Sequence, residues 1–326
     1  MFELTPQDDF VHTSGLELAW RESYSFNFCD PASRLSGFGL MGVNPNQEVA
    51  DCMFALWRDD ILMAKAAKWD FRIPRTIGEE RQHFGPLSLR PVAPFKTWEI
   101  AYDDGYCRVE MTFDSIQPPY SWQESENNAQ PGGSHHYQQQ GRFRGVVRVG
   151  KDSIPVQALG ARDHGWGPDA RSSLRRWYSA SAQFSDKLSF QSLHVTLQDG
   201  KELAFGYIFR GAQNDLLMRS RLTASYAMRN SAPSGCNLEL ASAGGERLAA
   251  IGRVLNAYNT SFQDPRLPGF QFSCAAEFQA DGQTGFGRVS AFWRTMKDRP
   301  EEWLIEPPVL PEKLKHLSRD FDETVF

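Results

Sequence analysis

Cysteine is scarce. The chain of 326 residues has five, at positions 29, 52, 107, 236 and 274. No two form a C-x-x-C pair and the number is odd, which argues against a disulfide framework and a structural zinc site. Long basic runs are also missing. Arg171 with Arg175 and Arg176 is the densest positive patch, and the formal net charge is -5. Such a chain offers no electrostatic footprint for nucleic acid and no polybasic membrane anchor. No apolar run approaches the roughly 18 residues that a membrane span needs. The opening MFELTPQDDF has neither a basic n-region nor an apolar h-region. A signal peptide is therefore not expected, and with reduced thiols the expected location is the cytoplasm.

Familiar catalytic signatures are absent too. There is no G-x-S-x-G elbow, no P-loop and no H-E-x-x-H. The stretch GFGLMG (Gly37, Gly39, Gly42) matches a dinucleotide-binding pattern, but that pattern needs a strand before it and a helix after it. Here CDPASRLS precedes and VNPNQEV follows, so turns or a close strand approach explain the glycines better. No nucleotide, metal or other cofactor is expected.

What is present is aromatic and β-forming. Aromatic residues make up 13% of the chain, with 23 Phe and 9 Trp, enough for wide sheet cores or an aromatic pocket. Four stretches read as hairpins. They turn at Asp103-Asp104-Gly105, Gly150-Lys151-Asp152, Asp199-Gly200 and Asp281-Gly282. In the first, Val109, Met111 and Phe113 alternate with polar neighbours. Only PPVLPEKLKHLSRDF near the C-terminus reads as a helix, with Leu310, Leu314 and Leu317 at helical spacing. QESENNAQPGGS (123–134) reads as a loop. Many short strands with glycine turns predict an all-β fold of two tandem antiparallel barrels, residues 1–165 and 166–326, with a short C-terminal helix.

Three stretches are unusually polar for such a fold. ALGARDHGWGPDAR (158–171) packs Arg162, Asp163, His164, Trp166 and Arg171 among glycines, and reads as an irregular join between the halves. AWRESYSFNF (19–28) sets Trp20, Glu22, Tyr24 and Asn27 into a strand pattern. In SHHYQQQGR (134–142), strand alternation puts His136, Gln138 and Gln140 on one face and His135, Tyr137 and Gln139 on the other. His135 or His136 with His164 makes a poor ligand set, because neighbouring strand residues face opposite ways.

The first stretch can be read in two ways. In one, Asp163 orients His164 as a general acid and Trp166 keeps water away. A group of that kind is worth roughly 10²–10⁴ in rate. In the other, Arg162 and Asp163 pair to tie the two barrels together with Trp166 as a wedge. Spacing alone favours the second.

WRESYSFNFCD, HHYQQQGRFRGVVRVG and GARDHGWGPDAR together resemble the CrtC/AttH-like superfamily, the relatives of carotenoid 1,2-hydratase (hydroxyneurosporene synthase). The resemblance runs from about residue 15 to 295, and R-D-H-x-W-G is its most specific part. Gly165 stands where many members have Ser. The resemblance implies two lipocalin-like barrels and a lipophilic substrate. The expected function is a cofactor-free lyase, hydratase or isomerase on a terpenoid, steroid-like or aromatic molecule. The expected catalytic groups are His164 with Asp163, then Glu22, His136 and Tyr137. Trp20, Trp166, Tyr24, Asn27 and Gln138 are expected to bind substrate. The alternative is a non-catalytic carrier of a lipophilic ligand. No nucleic acid partner is expected, and a homodimer is left open.

Overall fold

The computed structural model describes residues 3–73, 82–121, 134–228, 232–264 and 266–305. The expected helix around residues 307–321 and most of the loop at 123–134 lie outside the described residues. Among those described, no helix is long and apolar enough to cross a membrane.

Among the described residues, twenty strands form two antiparallel sheets. The first sheet holds β1 (Trp20–Asp30), β2 (Leu35–Asn44), β3 (Val49–Arg58), β4 (Ile61–Arg72), β5 (Gln82–Phe84), β6 (Leu87–Ala93), β7 (Thr97–Asp103), β8 (Cys107–Ser115), β9 (Tyr120–Ser121), β10 (His135–Val149) and β11 (Asp152–Pro168). The second holds β12 (Leu174–Gln183), β13 (Ser189–Leu197), β14 (Glu202–Phe209), β15 (Asn214–Tyr226), β16 (Pro233–Ser242), β17 (Arg247–Asn259), β18 (Phe270–Ala280), β19 (Gln283–Trp293) and β20 (Glu302–Ile305).

The fold is all-β and lipocalin-like, as expected. The four hairpins form where Asp and Gly permit a tight reversal. In the second sheet β14 pairs with both β13 and β15, which closes eight strands into a barrel. The first sheet is a half-barrel. Its order is β4-β3-β2-β1-β11-β10-β8-β7-β6-β5, and among the described residues no pairing joins β4 to β5. It is an open, curled sheet rather than a second closed barrel.

Each sheet buries alternate side chains on its concave side. The first surrounds Phe26, Met41, Phe54, Trp98, Phe113 and Phe143. The second surrounds Tyr178, Phe190, Leu222, Phe272, Phe278 and Trp293. Each large side chain buried this way contributes about 1.5–3 kcal/mol.

Two sequence expectations change here. The glycine-rich stretch at 158–168 is not an irregular join. It is the end of β11, paired without interruption to β1 on one side and β10 on the other. The chain leaves the first sheet at Pro168 and enters the second at Leu174, a few residues beyond the division expected at 165/166. GFGLMG lies within β2, in no strand-turn-helix unit. Its Gly42 makes room for a neighbour, since a Cβ there would sit 1.8 Å from Arg21 Nη2.

Candidate functional site

Adjacent strands β1, β11 and β10 carry all three polar stretches, and the pleat sorts their side chains onto two faces. Glu22 and Tyr24, Arg162 and His164, and Tyr137 and Gln139 face the interior of the first sheet. Ser23, Ser25, Asn27, Asp163, Gly165, His136 and Gln138 face outward and line a cavity against the second unit. His164 and Asp163 are chain neighbours on opposite faces. Asp163 therefore does not orient His164. Glu22 does, with Oε1 2.8 Å from His164 Nε2.

The interior face is a buried polar network. Asp9, from the segment preceding β1, accepts bonds from the Phe95 N–H at 2.6 Å, the Trp98 indole at 3.1 Å and the Tyr137 hydroxyl. It also pairs with Arg162 at 2.7 Å. The Arg162 guanidinium lies over the rings of Tyr137 and Trp98, at 5.0 and 5.2 Å. Its Nε donates to Gln139 Oε1 at 3.1 Å. Charges so deeply buried must be paired, and these are.

Glu22 anchors the other half of the network. Its Oε1 accepts the Tyr24 hydroxyl at 3.0 Å and stands 3.0 Å from His12 Nδ1. The His12 backbone N–H donates to Oε2 at 3.0 Å. The second ring nitrogen of His12 reaches Asp8 at 3.3 Å. Burial opposes ionisation of Glu22, but its bonds with His12 and His164 outweigh that and hold the carboxyl below its ordinary value. Burial likewise opposes a charge on His12, yet Glu22 and then Asp8 raise it above the ordinary histidine value. His164 is more deeply buried, and there burial wins over Glu22, so the ring is held toward its neutral form. The donor atoms of His12, Glu22 and His164 lie within 4.8 Å of one another, a set that could take a divalent cation. The hydrogen bonds just described join the same three residues through Glu22.

The cavity encloses about 340 Å³ between the two units. Its walls are apolar, with Phe38, Met53 and Trp69 on one side and Trp177, Leu193 and Phe205 on the other. Across them runs a polar belt. On the first sheet the register aligns Gln138, Asp163 and Ser25. On the second it aligns Gln191, Ser181 and Arg288. Ser25 Oγ donates to Asp163 at 2.5 Å, His136 Nε2 lies 3.6 Å from the same carboxylate, and Arg288 Nη1 lies 3.9 Å away. Burial works against the Asp163 charge, but His136 first, then Arg288 and Ser25, hold its pKa below the ordinary value. A Cβ at position 165 would sit 2.9 Å from His136 Cδ2, so glycine gives the His136 ring its place.

Five of the expected residues thus meet at the cavity: Asp163, His136, Asn27, Gln138 and Trp166. Four lie in the interior network: His164, Glu22, Tyr24 and Tyr137. Trp20 opens β1 beside Gly15 and is not among the cavity residues. Trp166 connects the two groups. It lines the cavity and stacks on the His12 ring at 4.0 Å, with His135 at 5.3 Å. Arg162 does not tie the units together, because it is spent on Asp9 and Gln139. Contacts that do join the units include the ion pair of Arg266 with Asp51 at 2.6 Å and the bond from Asn256 Nδ2 to Ser36 Oγ at 2.7 Å.

Sequence reasoning missed Asp9, His12 and Arg288. Asp9 binds partners from Phe95 to Arg162, 86 to 153 positions away, a separation no local pattern reveals. Arg288 left one trace, a cation set into the apolar alternation of GFGRVSAFW.

Residues 5–295 match the model of a family described as a domain of unknown function (DUF7064). No curated protein matches the chain by sequence. Among solved structures, the fold is similar to a candidate AttH from Nitrosomonas europaea, with a TM-score of 0.69 and 15% identity over 90% of this chain and 97% of that one. It is similar to CghA with Sch210972, with a TM-score of 0.65 and 13% identity over 85% and 89%. Kievitone hydratase from Nectria haematococca gives a TM-score of 0.59 and 10% identity over 85% and 90%. At these identities the likeness is one of fold.

Proposed function

We propose that this chain, which belongs to the DUF7064 family, is an acid–base enzyme of hydratase or isomerase type. Its substrate is a hydrophobic terpenoid, steroid-like or aromatic molecule held in the cavity between the two units. One observation carries the reading: an apolar cavity in which His136 and an ionised Asp163 stand together on one wall. Protonating or deprotonating an apolar carbon skeleton requires a dry site with few, well-placed titratable groups. The name of kievitone hydratase, a protein of similar fold, agrees with this class.

His136 is the proposed proton-transfer group and Asp163 its partner. The 3.6 Å between them exceeds a hydrogen bond, as is common before a substrate closes a site. The imidazole gives its proton to the substrate or takes one from it, with the Asp163 carboxylate beside the ring. Ser25 holds Asp163 in place. Trp166, Asn27 and Gln138 shape the walls around the reacting end. His164, Glu22, Tyr24 and Tyr137 act from behind as positioning residues, fixing β1, β10 and β11 and backing Trp166 through His12. The chemistry proposed here uses side chains alone.

The test is incubation of the purified protein with a lipid-soluble extract of its source cells. Mass spectrometry compares it with heat-inactivated protein and with His136→Ala. A compound that gains or loses the mass of water, or converts to an isomer, with wild type only, supports the enzyme. A compound retained but unchanged by both proteins means a carrier instead.

A further inference from the structure

Three arginines line the cavity: Arg21, Arg171 and Arg288. Two are fully committed. Arg21 donates to Asp51 at 2.7 Å and Asn44 at 2.9 Å. Arg171 clasps Asp169 with two nitrogens, at 2.8 and 2.6 Å, and reaches Asp264 at 2.6 Å. Arg288 has no such partner. Its shortest donor contact is a marginal 3.5 Å to Ser290 Oγ, and Asp163 is 3.9 Å away. Its Nε is buried with no acceptor. The side chain is only 18% exposed, and its plane rests over the Phe38 ring at 4.6 Å.

A guanidinium carries five N–H donors in a fixed fork and remains charged. Leaving such a group largely unpaired in a half-dry cavity is costly. Asp163 does not remedy this, since at 3.9 Å it lies beyond hydrogen-bond reach of the guanidinium. The neighbouring Gln191, two strands away in the same cross-strand row, has a buried carbonyl oxygen without a donor. The same cavity thus holds a cation without a close acceptor and an acceptor without a donor. Apolar wall lies nearby in Trp177, Leu193 and Phe205.

We infer that Arg288 is a binding residue for an acidic oxygen, a carboxylate or an enolate or phenolate, carried by an otherwise apolar ligand. This deepens the function proposed above and rests on its choice of cavity. The ligand lies with its skeleton against Trp177, Leu193 and Phe205 and its charged end across the Phe38–Arg288 stack. The anchored end takes the side of Arg288 away from the Asp163 carboxylate, which repels it, and so fixes which carbon comes near His136. Cation and carboxylate on opposite walls give the cavity a polarity, and an anion enters in one orientation only.

The test uses two fluorescent probes with one skeleton. 1-Anilinonaphthalene-8-sulfonate carries an anionic group, and N-phenyl-1-naphthylamine does not. Wild type should bind the sulfonate at least tenfold more tightly. Arg288→Met should erase that preference while keeping the affinity for the neutral probe, and Arg288→Lys should restore part of it. Leu193→Trp, which fills the cavity, should release both probes. Because Arg288 is poorly paired, Arg288→Met should melt no lower than wild type. Equal binding of the two probes by wild type, or a preference that survives Arg288→Met, overturns the anchor and leaves the cavity reading standing. Binding of neither probe, or binding untouched by Leu193→Trp, overturns the choice of cavity and the anchor with it.

Discussion

The two units solve one problem in different ways. The second closes eight strands on themselves and fills the interior with Tyr178, Phe190, Phe278 and Trp293. One histidine, His194, is buried there and bonds Ser220 at 2.8 Å. The first leaves its sheet open, draws in Asp9 and His12 from the segment before β1, and stakes its interior on paired charges. A closed barrel has no edge strands to protect and needs nothing from outside the sheet. An open sheet needs a plug, and a polar plug demands polar partners on the strands. That is why Glu22, Tyr137, Arg162 and His164 crowd three adjacent strands. The polarity that marked these strands in the sequence serves packing on one face and the cavity on the other.

The comparison can be broken most forcefully at Asp9. Asp9→Ala leaves Arg162 buried without its carboxylate, which should cost about 3–5 kcal/mol. Urea unfolding followed by tryptophan fluorescence should then split into two transitions, with the first unit melting early. A single cooperative loss would mean that the units do not unfold separately. Next come the two faces of β10 and β11. His136→Ala should lower turnover roughly 10²–10⁴-fold and barely move the melting temperature. His164→Ala should do the reverse and destabilise first, by about 1–3 kcal/mol through the unsatisfied Glu22. If His164→Ala alone abolishes turnover at unchanged stability, the roles assigned to the faces are exchanged.

Acid should separate the units further. Burial lowers His194 to about 3. The unfolded chain takes up its proton near pH 6.5 and the folded barrel does not, so stability is lost as pH falls from about 6.5 toward 3. The loss is at most about 1.4 kcal/mol per pH unit. In the first unit the raised His12 and the lowered His164 pull in opposite directions over that range. Its main acid loss begins near the ordinary 4.5, where Glu22 of the unfolded chain takes up a proton and the folded carboxyl, held lower, does not. His194→Gln should flatten the acid limb of the second barrel only, as melting curves between pH 4 and 7 would reveal. The smallest effect belongs to Gly165→Ser. The added Cβ crowds His136, so turnover should fall less than about tenfold while stability drops by roughly 1 kcal/mol. Unchanged turnover would mean that the His136 ring position does not matter.

Much of this architecture was legible. Asp-Gly turns and alternating apolar residues are local signals, and all four hairpins formed where they stood. Alternation also separated His136 and Gln138 from His135 and Tyr137. The misreading of 158–168 as an irregular join has a clear cause. A strand is expected to keep one apolar face, whereas β11 is polar on both across Arg162, Asp163 and His164. The open first sheet was not legible, since closure depends on whether two remote edges meet. Nor was the choice of Glu22 over Asp163 as the partner of His164, which is settled by facing direction across β1 and β11.

The two-sided character of β11 has a consequence for how such a protein diversifies. Toward the end of this strand, Arg162 and His164 belong to the interior while Asp163 and Gly165 face the cavity. A substitution on the cavity side leaves the interior pairs beneath it in place. A single inserted or deleted residue would instead carry Arg162 and His164 to the outside and Asp163 to the interior, ruining both at once. Change on this strand can therefore proceed by substitution and hardly ever by a shift in length.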